Sequence, residues 1–148
     1  MLTDTIATVL NAKGNQVYTI SPEAKALDAV ALMGRKGVAS VVVVSNGQVA
    51  GIVSAKDFGK RVVLEKKPLE GTTVGDMMTS PVLIVSPTTT VAEAMALMTH
   101  HRIRHLPVVE KGELGGIVSM GDLARSTIAE QGFMIDQLQR YVGQGHPV

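Results

Sequence analysis

The stretch "GIVSMGDL" spans residues 116–123, and "GIVSAKDF" stands 65 positions earlier, at 51–58. A chain of 148 residues that spells Gly-Ile-Val-Ser-x-x-Asp twice calls for a search for a longer repeat. Sliding the sequence by 65 holds register without a gap. "SPEAKALDAVALM" (21–33) lies on "SPTTTVAEAMALM" (86–98), and "VVSNGQVAGIVSAKDF" (43–58) on "VVEKGELGGIVSMGDL" (108–123). Between 21–58 and 86–123, 14 of 38 positions are identical. The chain therefore carries two copies of one supersecondary unit, too few for a solenoid, so the copies are expected to pack on each other.

Each copy has the same local pattern. Ser21-Pro22 and Ser86-Pro87 precede helical periodicity, which predicts a helix starting near the proline with the serine just before it. "SVVVV" and "HLPVV" are β-branched runs that predict buried strands. Gly47 and Gly112 mark hairpin turns, "VAGIV" and "LGGIV" make the second strands, and Ser-x-x-Asp opens another helix. Short strands "VYTI" (17–20) and "VLIV" (82–85) are expected ahead of the units. The implied organisation is an α/β (α+β) chain of two pseudo-symmetric helix–strand–strand–helix repeats. The first, with its N-terminal segment, covers 1–64; a linker rich in polar residues covers 65–73; the second repeat covers 74–125. A C-terminal helix and tail occupy 126–148, with Ile128, Phe133, Ile135, Leu138, Tyr141 and Val142 at helical spacing, a candidate cover for a partner surface. The final "GQGHPV" is expected to fray.

Composition narrows the function. Hydrophobic residues make up 45% of the chain and charged ones 18%, enough for a packed core built from aliphatics and eight Met, since only two Phe and two Tyr are present. A net charge of +1 with so few aromatics argues against nucleic acid as a partner. Cysteine is absent, which excludes disulfides and thiolate metal sites and fits a reducing compartment. The longest aliphatic run, "VASVVVV" (38–44), falls far short of the roughly 20 residues that span a bilayer. The N-terminal stretch has no basic region followed by a long apolar one. A soluble cytoplasmic protein with no membrane partner is expected.

The repeated Ser-x-x-Asp has two readings. As a capping box, Ser54 and Ser119 accept from helix N–H groups, while Asp57 and Asp122 favour the positive helix end; Asp is short for this place, so a strained reciprocal bond is expected. As a binding motif, the helix N-terminus presents N–H groups to phosphate, and the acceptor-only carboxylate suits the adjacent hydroxyls of a ribose. No activated nucleophile or base pair accompanies the motif, so catalysis fits poorly.

Two helix–strand–strand–helix units, each ending in Gly-h-h-Ser-x-x-Asp, resemble a tandem pair of cystathionine-β-synthase (CBS) domains, a stand-alone Bateman module. The likeness covers roughly residues 17–125, and the Ser-Pro pairs and "RHLPVV" (104–109) add to it. It implies a pseudo-twofold disc with two clefts that take adenosine-containing ligands: AMP, ADP, ATP, NAD(H) or S-adenosylmethionine. It further implies that Asp122 and Asp57 hold ribose hydroxyls with Ser119 and Ser54 beside them. The strands before Ser-Pro (Val17, Tyr18 and Thr19; Val82, Leu83 and Ile84) would contact adenine. No metal is required for the fold, and paired discs, hence a homodimer, are implied.

The copies differ most where ligand charge would be met. Arg102, Arg104 and His105 align with Gly37, Ala39 and Ser40. A solvated turn accounts for His100 and His101, whereas Arg104 and His105 flank a core strand beside the motif and are candidates for phosphate. Lys56, in the variable position of the first motif, could reach a phosphate or be solvated. His101 and His105 are four apart, but Pro107 follows and no acidic ligand is near, so a metal site is not expected. The leading expectation is a regulatory module that senses an adenine nucleotide and signals to an unidentified protein partner. The alternative is a dimeric scaffold with vestigial clefts.

Overall fold

Two tight hairpins anchor the chain. In the computed structural model, which describes residues 4–130, Ser40–Ser45 (β2) pairs antiparallel with Gln48–Ser54 (β3), and His105–Glu110 (β4) with Glu113–Ser119 (β5). Asn46-Gly47 and Lys111-Gly112 all sit at positive φ, the requirement of the type I′ turn that matches strand twist. Each hairpin carries a register shift at the same place, Val43/Val44 and Val108/Val109. The duplication thus extends to the irregularities.

Helices Ile6–Lys13 (α1), Ala26–Lys36 (α2), Ala55–Gly59 (α3), Val74–Met77 (α4), Val91–His101 (α5) and Met120–Glu130 (α6) complete the described residues, with α3 widening into a π-helical turn at Lys60–Leu64. No helix among them is long and apolar enough to cross a membrane. The predicted tail beyond Glu130, with Phe133, Ile135, Leu138, Tyr141, Val142 and the closing "GQGHPV", lies outside the described residues.

The Ser-Pro pairs do not start helices. α2 and α5 begin at Ala26 and Val91, with Lys25 and Thr90 as N-caps, and Thr90 closes a capping box with Glu93. Pro22 and Pro87 instead sit in turns whose carbonyls act as a socket. Pro22 and Ala24 accept from Gly75 and Val74, the first residues of α4. Pro87 and Thr89 accept from Ala7 and Ile6, the first residues of α1. Helix N–H groups that have no partner within the helix are satisfied in this way.

These sockets cross-connect the repeats. α1, which leads into the first repeat, docks on the second; α4, which leads into the second, docks on the first. Ile6, Val9 and Leu10 lie in one core with Val91, Met98, Leu106 and Leu123. Val74 lies in the other with Ala26, Met33, Val41 and Phe58. The exchange also explains the glycine of the repeated motif. A Cβ on Gly51 would lie 2.7 Å from Met78 Sδ and 2.7 Å from the Thr79 carbonyl oxygen, and one on Gly116 would lie 3.1 Å from Leu10 Cδ2. Each glycine makes room for the lead-in segment that crosses it.

The two expected short strands fare differently. In the first copy Thr19–Ile20 (β1) pairs parallel with β2, and Val42 donates its N–H to the Tyr18 carbonyl. In the second copy only Val85 bridges, to Val108. The position equivalent to Val42 is Pro107, which has no N–H to give Leu83, so the ladder stops one bond short.

Gly51→Ala should destabilise by about 1–3 kcal/mol, because backbone must move, and Gly116→Ala by less, because the end of a leucine can rotate away. Chemical denaturation of both variants checks this ordering. Equal costs would contradict the crossing as its cause.

Candidate functional site

A cleft of about 420 Å³ opens at the junction of three chain segments. Lys13, Gly14, Gln16, Val17 and Tyr18 form the wall leading into the first repeat. Lys36 to Ser40, the end of α2 and start of β2, form the second. His105, Ile117, Ser119 and Asp122 come from the second repeat. The exchange of α1 and α4 is what brings the first two segments against the third.

Asp122 stands on the first turn of α6 and is 7% exposed. Its Oδ2 accepts from the Ser119 N–H at 2.8 Å, and the Asp122 N–H donates to Ser119 Oγ at 3.1 Å. Asp57 Oδ2 accepts from the Ser54 N–H at 2.8 Å and from the Ser54 hydroxyl at 3.1 Å. The expectation of a strained reciprocal bond is therefore corrected: the first helical turn brings the N3 backbone close enough for the shorter Asp to close the bond at ordinary length. Thr73 and Asp76 do the same at 3.0 Å. The carboxylate expected to meet a ligand is thus also the one that caps the helix.

The two motif carboxylates have different company. Asp122 Oδ2 also holds Lys13 Nζ at 2.7 Å, and Oδ1 holds Arg125. Asp57 bonds only Ser54 among the described residues. Burial opposes ionisation of Asp122, but hydrogen bonds from Lys13 and Ser119 outweigh it and hold the pKa below the usual carboxylate value. His105 shifts the other way in charge. Burial lowers its pKa, with Lys13 and Arg104 adding to the effect and Asp122 opposing it. The shift favours the neutral imidazole, which brings one N–H donor and no charge to the cleft.

Of the residues singled out in the sequence, Asp122, Ser119, His105, Val17 and Tyr18 line the cleft. Thr19 is an exposed residue of β1 outside it. Arg104 is exposed and does not line it; its carbonyl accepts from the Met120 N–H at 2.9 Å. The cleft takes residues 36–40 of the first copy, and 101–105 are their repeat equivalents, so alignment beside Asp122 in sequence did not mean facing it in space. Ser54, Lys56 and Asp57 lie at the start of α3, away from this cleft, with Lys56 exposed. Val82, Leu83 and Ile84 also lie elsewhere: Leu83 packs on the second core, and Ile84 is 47% exposed. The sequence reading missed Lys13, Lys36 and Ser40. Ser40 alone left a signal, its alignment with His105. Lys36 Nζ lies 5.6 Å from the Tyr18 ring centroid, a cation–π contact at the cleft wall. No cluster of three metal-ligating side chains occurs among the described residues.

A family model for the CBS domain matches residues 14–63 and 74–128. The chain belongs to the CBS-domain family, as a tandem pair. The CBS pair is 32% identical to the Arabidopsis thaliana CBS domain-containing protein CBSX3, mitochondrial, over 96% of this chain and 73% of that protein. Among solved structures it resembles a putative signal-transduction protein with CBS domains from Burkholderia ambifaria MC40-6, with TM-score 0.81 and 42% identity. That match covers 86% of this chain and 96% of the other. It also resembles CBSX2, solved in complex with AMP, with TM-score 0.71, 25% identity, and coverage of 85% and 97%.

Because the folded state holds His105 neutral, the unfolded chain binds the extra proton as pH falls below about 6.5, and stability should decline there. Thermal melts between about pH 7 and 5 should show a slope that His105→Gln reduces. An unchanged slope in the variant would contradict the burial of this imidazole.

Proposed function

We propose that this CBS pair is a regulatory module that binds an adenine nucleotide in the Asp122 cleft and reports its occupancy to a partner protein. The observation that carries this is a carboxylate only 7% exposed, at a helix N-terminus, facing a cleft built jointly by both repeats. Hydroxyls of a ribose match the acceptor, and the half-buried Tyr18 offers a face for a base. The AMP complex of CBSX2 supports the ligand class. AMP, ADP, ATP and NAD(H) share the adenosine half that this site would hold. Binding at a surface formed by both repeats gives a ligand leverage over their relative packing, which is how occupancy would reach a partner. No catalytic step is part of this reading.

Arg102 and Arg104 belong, on the same reading, to a second site. They occupy the repeat positions of Gly37 and Ala39, so by analogy with the Asp122 cleft they would face Asp57 and Ser54, with Val82–Ile84 as the counterpart of Val17–Thr19. The proposed assembly is a homodimer in a reducing cytoplasm. Val62, Val63 and Leu64 are 45%, 68% and 76% exposed and give apolar surface for it.

The scaffold alternative draws on one specific fact: Asp122 is already occupied by Lys13 and Arg125. Calorimetry separates the two readings. The chain should bind AMP, and Asp122→Asn should weaken binding by roughly 1.5–3 kcal/mol for each charge-assisted bond lost. A melt of the variant corrects for the lost cap, worth about 1 kcal/mol. No binding of AMP, ADP, ATP or NAD(H) by the unaltered chain would leave the scaffold reading. Sedimentation of the same sample should report twice the chain mass, and a monomer would overturn the dimer.

A further inference from the structure

The two lead-in segments are equivalent at both ends but differ in length between. Ile6 and Val74 dock identically on the sockets of opposite repeats, and Val17 and Val82 align in the duplication. From Ile6 to Val17 is 11 positions and from Val74 to Val82 is 8, so the first segment holds three extra residues. The longer segment carries more helix: α1 has 8 residues where α4 has 4. The added turn ends on Lys13, and Gly14, at φ 96°, then turns the chain along the cleft wall. Lys13 Nζ donates to the Ile117 carbonyl at 2.9 Å and to Asp122 Oδ2 at 2.7 Å.

A carboxylate offers about four acceptor positions. Three on Asp122 are taken, by Ser119 N–H, Lys13 and Arg125. Two adjacent hydroxyls cannot both bond it unless one cation leaves. Arg125 lines only the hollow between α1 and α6, whereas Lys13 lines both that hollow and the cleft. The Ser119 N–H belongs to the backbone and cannot leave. Lys13 is thus the group that an incoming diol displaces. Its side chain is 30% exposed and flexible, so it can swing into the cleft, where a displaced ammonium needs an anion.

Resting on the nucleotide reading, we propose that Lys13 is a displaceable counter-ion that ties ribose recognition to phosphate recognition. It pairs with Asp122 until a ligand arrives and yields only to one that returns a negative charge to it. The site then selects a phosphorylated nucleotide over the bare nucleoside, which would break the Lys13–Asp122 pair and give nothing back.

Lys13→Met and Lys13→Gln remove the charge and keep the length of the stem; Lys13→Arg keeps the charge. Calorimetry of the full chain with AMP and with adenosine reads the outcome, with thermal melts to establish that each variant is folded. The unaltered chain should prefer AMP. In Lys13→Met and Lys13→Gln, AMP should weaken by about tenfold or more, as for loss of one charge-assisted bond. Adenosine should bind as well as before or better, and Lys13→Arg should retain the AMP preference. An AMP-to-adenosine ratio unchanged in both neutral variants, or equal loss of both ligands, would overturn the role of Lys13 while leaving the nucleotide reading intact. Failure of the unaltered chain to bind either ligand would overturn both.

Discussion

The exchange of lead-in helices between repeats is the constraint on which the rest depends. Ile6 and Val74 are each fully buried, each in the core of the repeat that its own segment does not introduce. Their N-terminal N–H groups are satisfied by carbonyls of the opposite Ser-Pro turn. A single repeat would lose a wall of its core and leave a socket of unpaired carbonyls. The duplication therefore packs as one module. The motif glycines, Gly51 and Gly116, are the cost in local packing that lets the crossing segments approach.

The candidate site follows from the same crossing. The cleft exists because α1, docked on the second repeat, ends beside Asp122 and sends its chain back to β1 of the first. Its electrostatics are set locally: a buried carboxylate kept ionised by Lys13 and Ser119, and an imidazole kept neutral by burial. A ligand bound there, as proposed, would touch a lead-in segment, the α2–β2 corner and the motif together. Changing how those three pieces sit is changing how the repeats sit on each other.

Much of this was legible in the sequence, and the boundary of legibility has physical causes. The repeat, both hairpins and their Gly turns, and the Ser-x-x-Asp helix starts are encoded by residues close in the chain, so pattern alone shows them. Pro107 carried the information that the second lead-in strand would fail, but only once its register against Leu83 was known. Alignment tells which residues are equivalent; it does not tell which are in contact. Arg104 aligns beside Asp122 in the sequence, yet the cleft wall at the equivalent position comes from the other copy, Lys36 to Ser40. Lys13 was invisible for a related reason, since it lies 109 positions from its partner in a segment just outside the repeat. Thr90 and Glu93 form the capping box of α5, whereas Lys25 only occupies the N-cap position of α2 without a side-chain bond, so the Ser-Pro pair is the more visible helix-start pattern in both copies.

The central claim is that ligand is held jointly by both repeats at the Asp122 cleft. Amide hydrogen exchange with and without saturating AMP tests it most directly, because it reads every segment in one experiment. The account predicts that protection rises together in three separated stretches, 14–18, 36–40 and 117–122. Protection confined to one repeat, or centred on 52–57 with none at 117–122, would contradict it.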